Sequence, residues 1–204
     1  FAELSILFIG VILAPFLGWQ IPVLLALQIL FMNLVTDNLP AITLGFNPSS
    51  KDAMSDMPRK NAEILNKKLI LLLIFTGSLL MLLVLSAYFI TFNILGESLE
   101  YSRTVALFSL ICLEIVSAFN FRSFRKGVLN RGLLVNPYLF YASVISLIAT
   151  FLIIYSPLNI IFETVSLKLN GFIIAISVSL ALIIVFDLLK YINNKKKFFD
   201  LEHI

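Results

Sequence analysis

Three acidic residues stand where acids are costly. Glu3, Asp37 and Glu114 each fall inside a long apolar run. An isolated charge at the centre of a membrane-spanning helix costs about 2.5–3.5 kcal/mol even on the lenient insertion scale. No Lys or Arg lies beside them at their depth to neutralise them. Acids in such a setting face an interior path, pair with one another or bind an ion, so the missing positive charge reads as a transported cation. Around the second acid the chain runs Asn33-Leu34-Val35-Thr36-Asp37-Asn38-Leu39-Pro40-Ala41. In a helix, Asn33, Thr36 and Asp37 share one face and offer an amide oxygen, a hydroxyl and a carboxylate. These are hard donors, suited to Ca²⁺, Na⁺ or Mg²⁺ and poorly suited to soft metals. No Cys-Pro-Cys motif or His cluster is present for copper or zinc. Pro40 lacks an N–H and clashes with the carbonyl of Thr36, and carbonyls freed by such a break can themselves coordinate a cation. A proline-kinked helix glued to its neighbours by polar side chains explains Asn33 and Thr36 but leaves Asp37 unexplained. Glu3, close to the first residue, has a second reading as an acid that reaches water. Asp187, three residues before Lys190, reads as an interfacial ion pair.

The elements that must position these residues are apolar runs at 1–17, 21–46, 69–92, 104–121, 138–155 and 172–192. Each is close to the roughly 20 residues a spanning helix needs. With 60% hydrophobic residues and 13% charged, a soluble domain of this length cannot hide its apolar surface. A lipid bilayer can take it. The segment 47–68 is polar and carries Pro48, Pro58 and eight charged residues. Thirteen of the 15 Lys and Arg lie in that segment, in the loop after the fourth run, or at the end of the chain, leaving Arg103 and Lys168 on the other side. Such asymmetry marks the cytoplasmic side. The fold class expected is therefore all-α: an integral, multi-pass membrane bundle of six transmembrane helices with both chain ends cytoplasmic. Trp19, Tyr88, Tyr101, Tyr138 and Tyr155 fall near the interfaces, as an aromatic belt requires. The basic clusters are short, flank spans and lack interleaved aromatics, so they read as membrane anchors, and no nucleic-acid partner is expected. Cys112, the single cysteine, has no disulfide partner and reads as helix packing. The chain opens at Phe1 inside an apolar run with no basic segment before it, which is not a signal peptide; it reads as beginning partway through a helix.

Leu30-Phe31-Met32-Asn33-Leu34-Val35-Thr36-Asp37-Asn38-Leu39-Pro40-Ala41, continuing to Leu44-Gly45-Phe46-Asn47-Pro48, resembles the sixth transmembrane helix and following loop of type II P-type cation-transporting ATPases. The resemblance is greatest to the sarco/endoplasmic-reticulum type of calcium pump and covers nearly the whole chain, as its C-terminal transmembrane region, helices five to ten. Met54-Ser55-Asp56-Met57-Pro58-Arg59 is similar to the family's loop between helices six and seven, and Leu113-Glu114-Ile115-Val116-Ser117-Ala118-Phe119-Asn120 resembles its helix-eight stretch. The resemblance implies a metal-ligand set of Glu3, Asn33, Thr36, Asp37 and Glu114. Asp37 would bridge two cation positions, with Glu3, Thr36 and Glu114 at the first and Asn33 at the second. Asn38 stands where the calcium pumps usually have glycine. The implied function is the ion-binding and translocation portion of an ATP-driven pump, with Ca²⁺ as the transported ion. Its partner would be the upstream half of the same pump, namely helices one to four and the cytoplasmic domains, through which ATP and Mg²⁺ would act. The chain itself carries no Asp-Lys-Thr-Gly-Thr phosphorylation motif, so no catalytic residue is expected in it. Related pumps for Na⁺, K⁺ or H⁺ share the scaffold, and a non-ATPase membrane subunit or a secondary transporter is the reading from another class.

Overall fold

The computed structural model describes residues 1–20, 22–47, 67–122 and 132–196; the loop motif at 54–59 lies outside them. Among the described residues all regular structure is helical. Helix α1 is Ala2–Leu17, α2 is Ala26–Leu44, α3 is Lys67–Phe89 continued by a wider π turn over Ile90–Ile94, and α4 is Leu99–Phe121. Helix α5 is Pro137–Tyr155 and α6 is Leu169–Lys196, with a short helix Asn159–Phe162 between them. Five of these, α2 to α6, are long and apolar enough to cross a membrane. The first apolar run forms a helix of 16 residues, shorter than those five.

Helix ends follow local chemistry more closely than they follow the apolar runs. Gly18 closes α1 in the left-handed conformation, φ 67°, which glycine adopts without steric cost. Pro22 and the extended Leu25 (ψ 152°) delay the start of α2 to Ala26, five residues after its run begins. Ser98 accepts a hydrogen bond from the Tyr101 N–H and starts α4 at Leu99, one turn before the run at 104–121. Asn136 caps α5 by accepting from the Leu139 N–H, with Pro137 in the first helical position, where a missing N–H costs nothing.

Helix α4 is the axis of the bundle. Most of its length is buried, including Val105, Leu107, Leu110, Ile111 and Leu113, and it packs on α3 and α6. Helix α1 lies on α3, while the second half of α2 lies on α5. Elsewhere the outer faces stay apolar: Ile173, Ile176, Leu180, Ile184 and Leu188 of α6 are all exposed. Such a stripe suits lipid rather than water.

Polar side chains tie both ends. At the α1–α2 turn, the Trp19 indole N–H donates to Asn93 Oδ1 at 2.6 Å and Asn93 Nδ2 donates to the Leu17 carbonyl at 2.9 Å. Arg103 Nε donates to the Pro22 carbonyl at 2.8 Å, and buried Gln28 joins the Leu25 N–H to the Phe162 carbonyl. At the opposite end Lys190 Nζ crosses to α4 and donates to Asn120 O and Oδ1, at 3.1 and 3.2 Å. In place of the pairing expected for Asp187 and Lys190, the lysine bonds one orphan carbonyl at the end of α4 and the side-chain oxygen of the same residue. Asp187 Oδ1 is buried with no hydrogen-bond partner among the described residues.

Candidate cation site

The local structure of α2 is set by Pro40. Without an N–H, Pro40 leaves the Thr36 carbonyl lacking its usual partner four residues on, and its ring crowds that carbonyl. The chain answers by widening rather than breaking: Met32–Asp37 forms a π-helical turn and the α-helix resumes at Asn38–Leu44, passing through Pro40. The expectation of a break is met by a bulge, a form that recurs at functional sites. The widened turn carries Asn33, Thr36 and Asp37 together.

Glu3 on α1, Asp37 on α2 and Glu114 on α4 each present a carboxylate oxygen, and these three atoms lie within 4.8 Å of one another. All three residues are half-buried. Glu114 Oε2 is buried without a hydrogen-bond partner, and among the described residues no Lys or Arg forms a salt bridge with any of the three. At an effective dielectric of about 20, like charges at that separation repel by at least about 3.5 kcal/mol per pair. Three carboxylates so placed favour a positive charge, from a cation or from protons, among them.

The neutral members are arranged to accept. Asn33 Nδ2 donates to Glu3 Oε2 at 2.8 Å and to the Ile29 carbonyl at 3.1 Å. Its donors being spent on the chain, the amide keeps its oxygen for another partner. Thr36 is buried, and its hydroxyl proton goes to the Met32 carbonyl at 3.1 Å, leaving the lone pairs of Oγ1. Asn33 is exposed and reaches the cluster through Glu3. The structure thus brings Glu3, Asp37 and Glu114 into one cluster, links Asn33 to it directly, and sets Thr36 on the same widened turn.

One residue near the cluster was not singled out from sequence. Ser146 of α5 is fully buried and its hydroxyl lies 3.5 Å from the Thr36 carbonyl, the one Pro40 leaves without its α-helical partner. With Ser143 and Thr150 it forms a buried hydroxyl stripe on α5. The signal in the sequence was its i, i+3, i+7 spacing in an otherwise apolar run.

Comparison with known proteins shows the family of the chain. The family described as "Cation transporting ATPase, C-terminus" matches residues 21–192. Calcium-transporting ATPase 1 of Bacillus cereus is 33% identical over 196 residues, covering 87% of this chain and 22% of the relative. The calcium-transporting ATPase of Bacillus subtilis is 32% identical over 158 residues, 76% of this chain and 18% of its own. Human calcium-transporting ATPase type 2C member 1 is 28% identical over 176 residues, 84% of this chain and 19% of its own. The chain therefore spans about a fifth of the length of the curated relatives it matches.

Proposed function

The chain belongs to the family of C-terminal regions of cation-transporting ATPases, and from that premise we propose that it is the ion-binding and translocating portion of an ATP-driven pump for Ca²⁺. The observation that carries this reading is the cluster of three carboxylate oxygens from three helices, within 4.8 Å and uncompensated by a basic side chain among the described residues. A hard divalent cation takes six to eight oxygen ligands at about 2.3–2.6 Å. In the proposed site Glu3, Asn33, Thr36, Asp37 and Glu114 supply part of them, Asp37 bridging two cation positions, and the rest would come from the upstream helices of the pump. Glu3, Thr36 and Glu114 serve the first and Asn33 the second. Calcium is favoured over a monovalent ion by the carboxylate count and by the relatives, whose names are those of calcium-transporting ATPases.

In this reading the residues 1–204 are helices five to ten of the pump, with α1 as the sixth span and both ends in the cytoplasm. The basic residues at Arg122 and Lys190 then mark the cytoplasmic face, and residues 47–68 form a cytoplasmic loop. The bundle sits in the lipid bilayer beside the upstream half of the same pump, which would bring ATP and Mg²⁺ to a site outside this chain. Phosphorylation there would shift the helices, and carboxylates that close around the ion on one side would open to the other. An ion can be moved in this way only if its affinity differs between the two states.

The test is phosphoenzyme formation from ATP by the intact pump, titrated in parallel with Ca²⁺, Na⁺ and K⁺. Stimulation by Ca²⁺ in the micromolar range, with Na⁺ and K⁺ inert, is the expected result. Stimulation by Na⁺ or K⁺ alone would remove calcium from the proposal. No stimulation by any cation would return the chain to the class of non-pumping membrane subunits.

A further inference from the structure

The second helix, which carries three of the five proposed ligands, is held at its start, middle and end by α5 and the short helix that follows it. At its start Gln28 Nε2 donates to the Phe162 carbonyl at 3.0 Å, in the segment just after α5, and the Phe31 and Phe162 rings meet edge to face at 5.5 Å. At the widened turn Ser146 of α5 faces the Thr36 carbonyl. At its end Asn136 Nδ2, at the start of α5, donates to the Thr43 carbonyl at 2.9 Å. The Phe46 and Tyr138 rings lie 5.5 Å apart beside it, and Leu139 packs against Leu44 and Phe119. The attachments run in opposite sequence order on the two chains, as an antiparallel pair must.

Asn136 is the strongest of these attachments. It is fully buried, and its amide is engaged at both heads: Oδ1 accepts from the Leu139 N–H at 3.1 Å while Nδ2 donates to the Thr43 carbonyl. One partner is a donor and the other an acceptor, so the amide has a single satisfied orientation. Its two bonds serve two different helices. The first caps α5, which Ser, Thr, Asp or Asn would do equally well. The second reaches a backbone carbonyl on α2, which capping does not require. Only an amide of this length supplies both.

We infer that Asn136 is a positioning residue for the ion site, fixing the end of α2 to α5 so that the π turn keeps Asn33, Thr36 and Asp37 facing Glu3 and Glu114. Thr43 lies seven residues from Thr36, about 10 Å along a helix. A π turn is a rare form that recurs at functional sites, and here both of its flanks are tied to neighbouring elements. Gln28 anchors the end before the turn and Asn136 the end after it. This inference rests on the proposed function, because the property positioned is the site's affinity for its cation.

The substitution Asn136→Ser separates the two bonds: a serine caps α5 as well as asparagine but is too short to reach Thr43. Asn136→Asp also caps, and sets a group without an N–H against the Thr43 carbonyl. In the intact pump, the cation concentration for half-maximal phosphoenzyme formation is measured alongside the maximal level per folded molecule. The expected result is a threefold to thirtyfold rise in that concentration, larger for Asn136→Asp, with the maximal level within twofold of wild type. Ser146→Ala, which leaves the cap untouched, is expected to shift it the same way by a smaller factor. A purely structural role would lower the yield and melting temperature of the pump and leave the half-saturating concentration unmoved. An unchanged concentration in Asn136→Ser overturns the inference whatever Ser146→Ala does. Where Asn136→Ser gives too little folded pump to titrate, Asn136→Asp is read by the same criterion. The cation used is the one that activates wild type, so a Na⁺-driven wild type would sink the calcium assignment while the role of Asn136 is still decided in the Na⁺ titration.

Discussion

Replacing Asp37 by Asn keeps the shape and one oxygen donor of the side chain and removes one negative charge from the cluster. Two opposing terms change. In the ion-free protein two of the three carboxylate pairs disappear, each worth at least about 3.5 kcal/mol of repulsion at 4.8 Å or less and an effective dielectric of about 20. In the ion-bound protein a Ca²⁺ at about 2.4 Å loses an attraction of about 14 kcal/mol on the same scale. The relief of repulsion is felt with the ion as well, so the bound protein loses at most about 7 kcal/mol of stability. In binding that relief cancels and the loss is on the order of 14 kcal/mol, enough to abolish occlusion. The signs differ between the two states, and that makes the prediction sharp. In chelator the Asp37→Asn pump should inactivate thermally at a higher temperature than wild type, because its empty cluster repels itself less. In saturating Ca²⁺ the order should reverse, since only wild type gains stability from the bound ion. The assays are equilibrium occlusion of radioactive calcium by the intact pump and thermal inactivation with and without chelator. Wild-type occlusion in the variant, or a variant less stable than wild type in chelator, would refute the assignment of Asp37 to a self-repelling cation cluster.

Three further outcomes are expected. Pro40→Ala returns an N–H to the Thr36 carbonyl and should let the π turn relax; losing the extra residue re-registers the preceding side chains by about 100°, so calcium affinity should fall more than tenfold with no loss of thermal stability, and wild-type affinity in a titration of phosphoenzyme would speak against the bulge as the cause of the ligand geometry. Lys190→Met removes a buried cation from the orphan carbonyl of Asn120 and should lower stability by about 2–3 kcal/mol, read as the midpoint of unfolding in SDS; an unmoved midpoint would mean the bond is not holding α6 to α4. Gln28→Leu strips partners from the Leu25 N–H and the Phe162 carbonyl, at about 1–3 kcal/mol for each group left unsatisfied, and a midpoint equal to wild type would show that water replaces them.

How much of this could be read from sequence depends on what each feature needs. The apolar runs place the helices because a helix that faces lipid or a packed core is apolar over its whole length, and composition alone reports that. Their ends are set by single residues, and there the runs mislead: Ser98 starts α4 at Leu99, within the polar turn before its run, and Pro22 holds back the start of α2. The three acids declared themselves by cost, since a charge in an apolar run has few explanations. Their approach to within 4.8 Å was expected from the resemblance to cation pumps, and no local rule of sequence would have supplied it. The roles of Asn136 and Ser146 could not be read for a different reason. Each acts on a backbone carbonyl, at Thr43 and Thr36, and a backbone carbonyl leaves no trace in the residue type of its owner. Likewise the i, i+3 spacing of Asp187 and Lys190 pointed to a local pair, but a buried lysine near the end of α4 is drawn to the unpaired carbonyls that every helix leaves at its C-terminus.

The sign of the charge that the proposed site would take follows from the bonding of the neutral residues as much as from the acids. A site made of carboxylates alone is also what a proton-sharing acid cluster looks like. Here the amide hydrogens of Asn33 are committed to Glu3 and the Ile29 carbonyl, and the Thr36 hydroxyl hydrogen to the Met32 carbonyl. Both residues therefore present oxygen without hydrogen, on a turn whose widening also loosens the Thr36 carbonyl from its helical partner. A cluster furnished in this way has acceptors and few donors. An anion would find nothing to donate to it, and a water would find only half of what it bonds to, whereas a desolvated metal cation needs acceptors alone. The widening of α2 is thus chemically directed: Pro40 creates a shortage of backbone donors at the level where the acids converge, and α5 holds the helix in the shape that keeps the shortage in place.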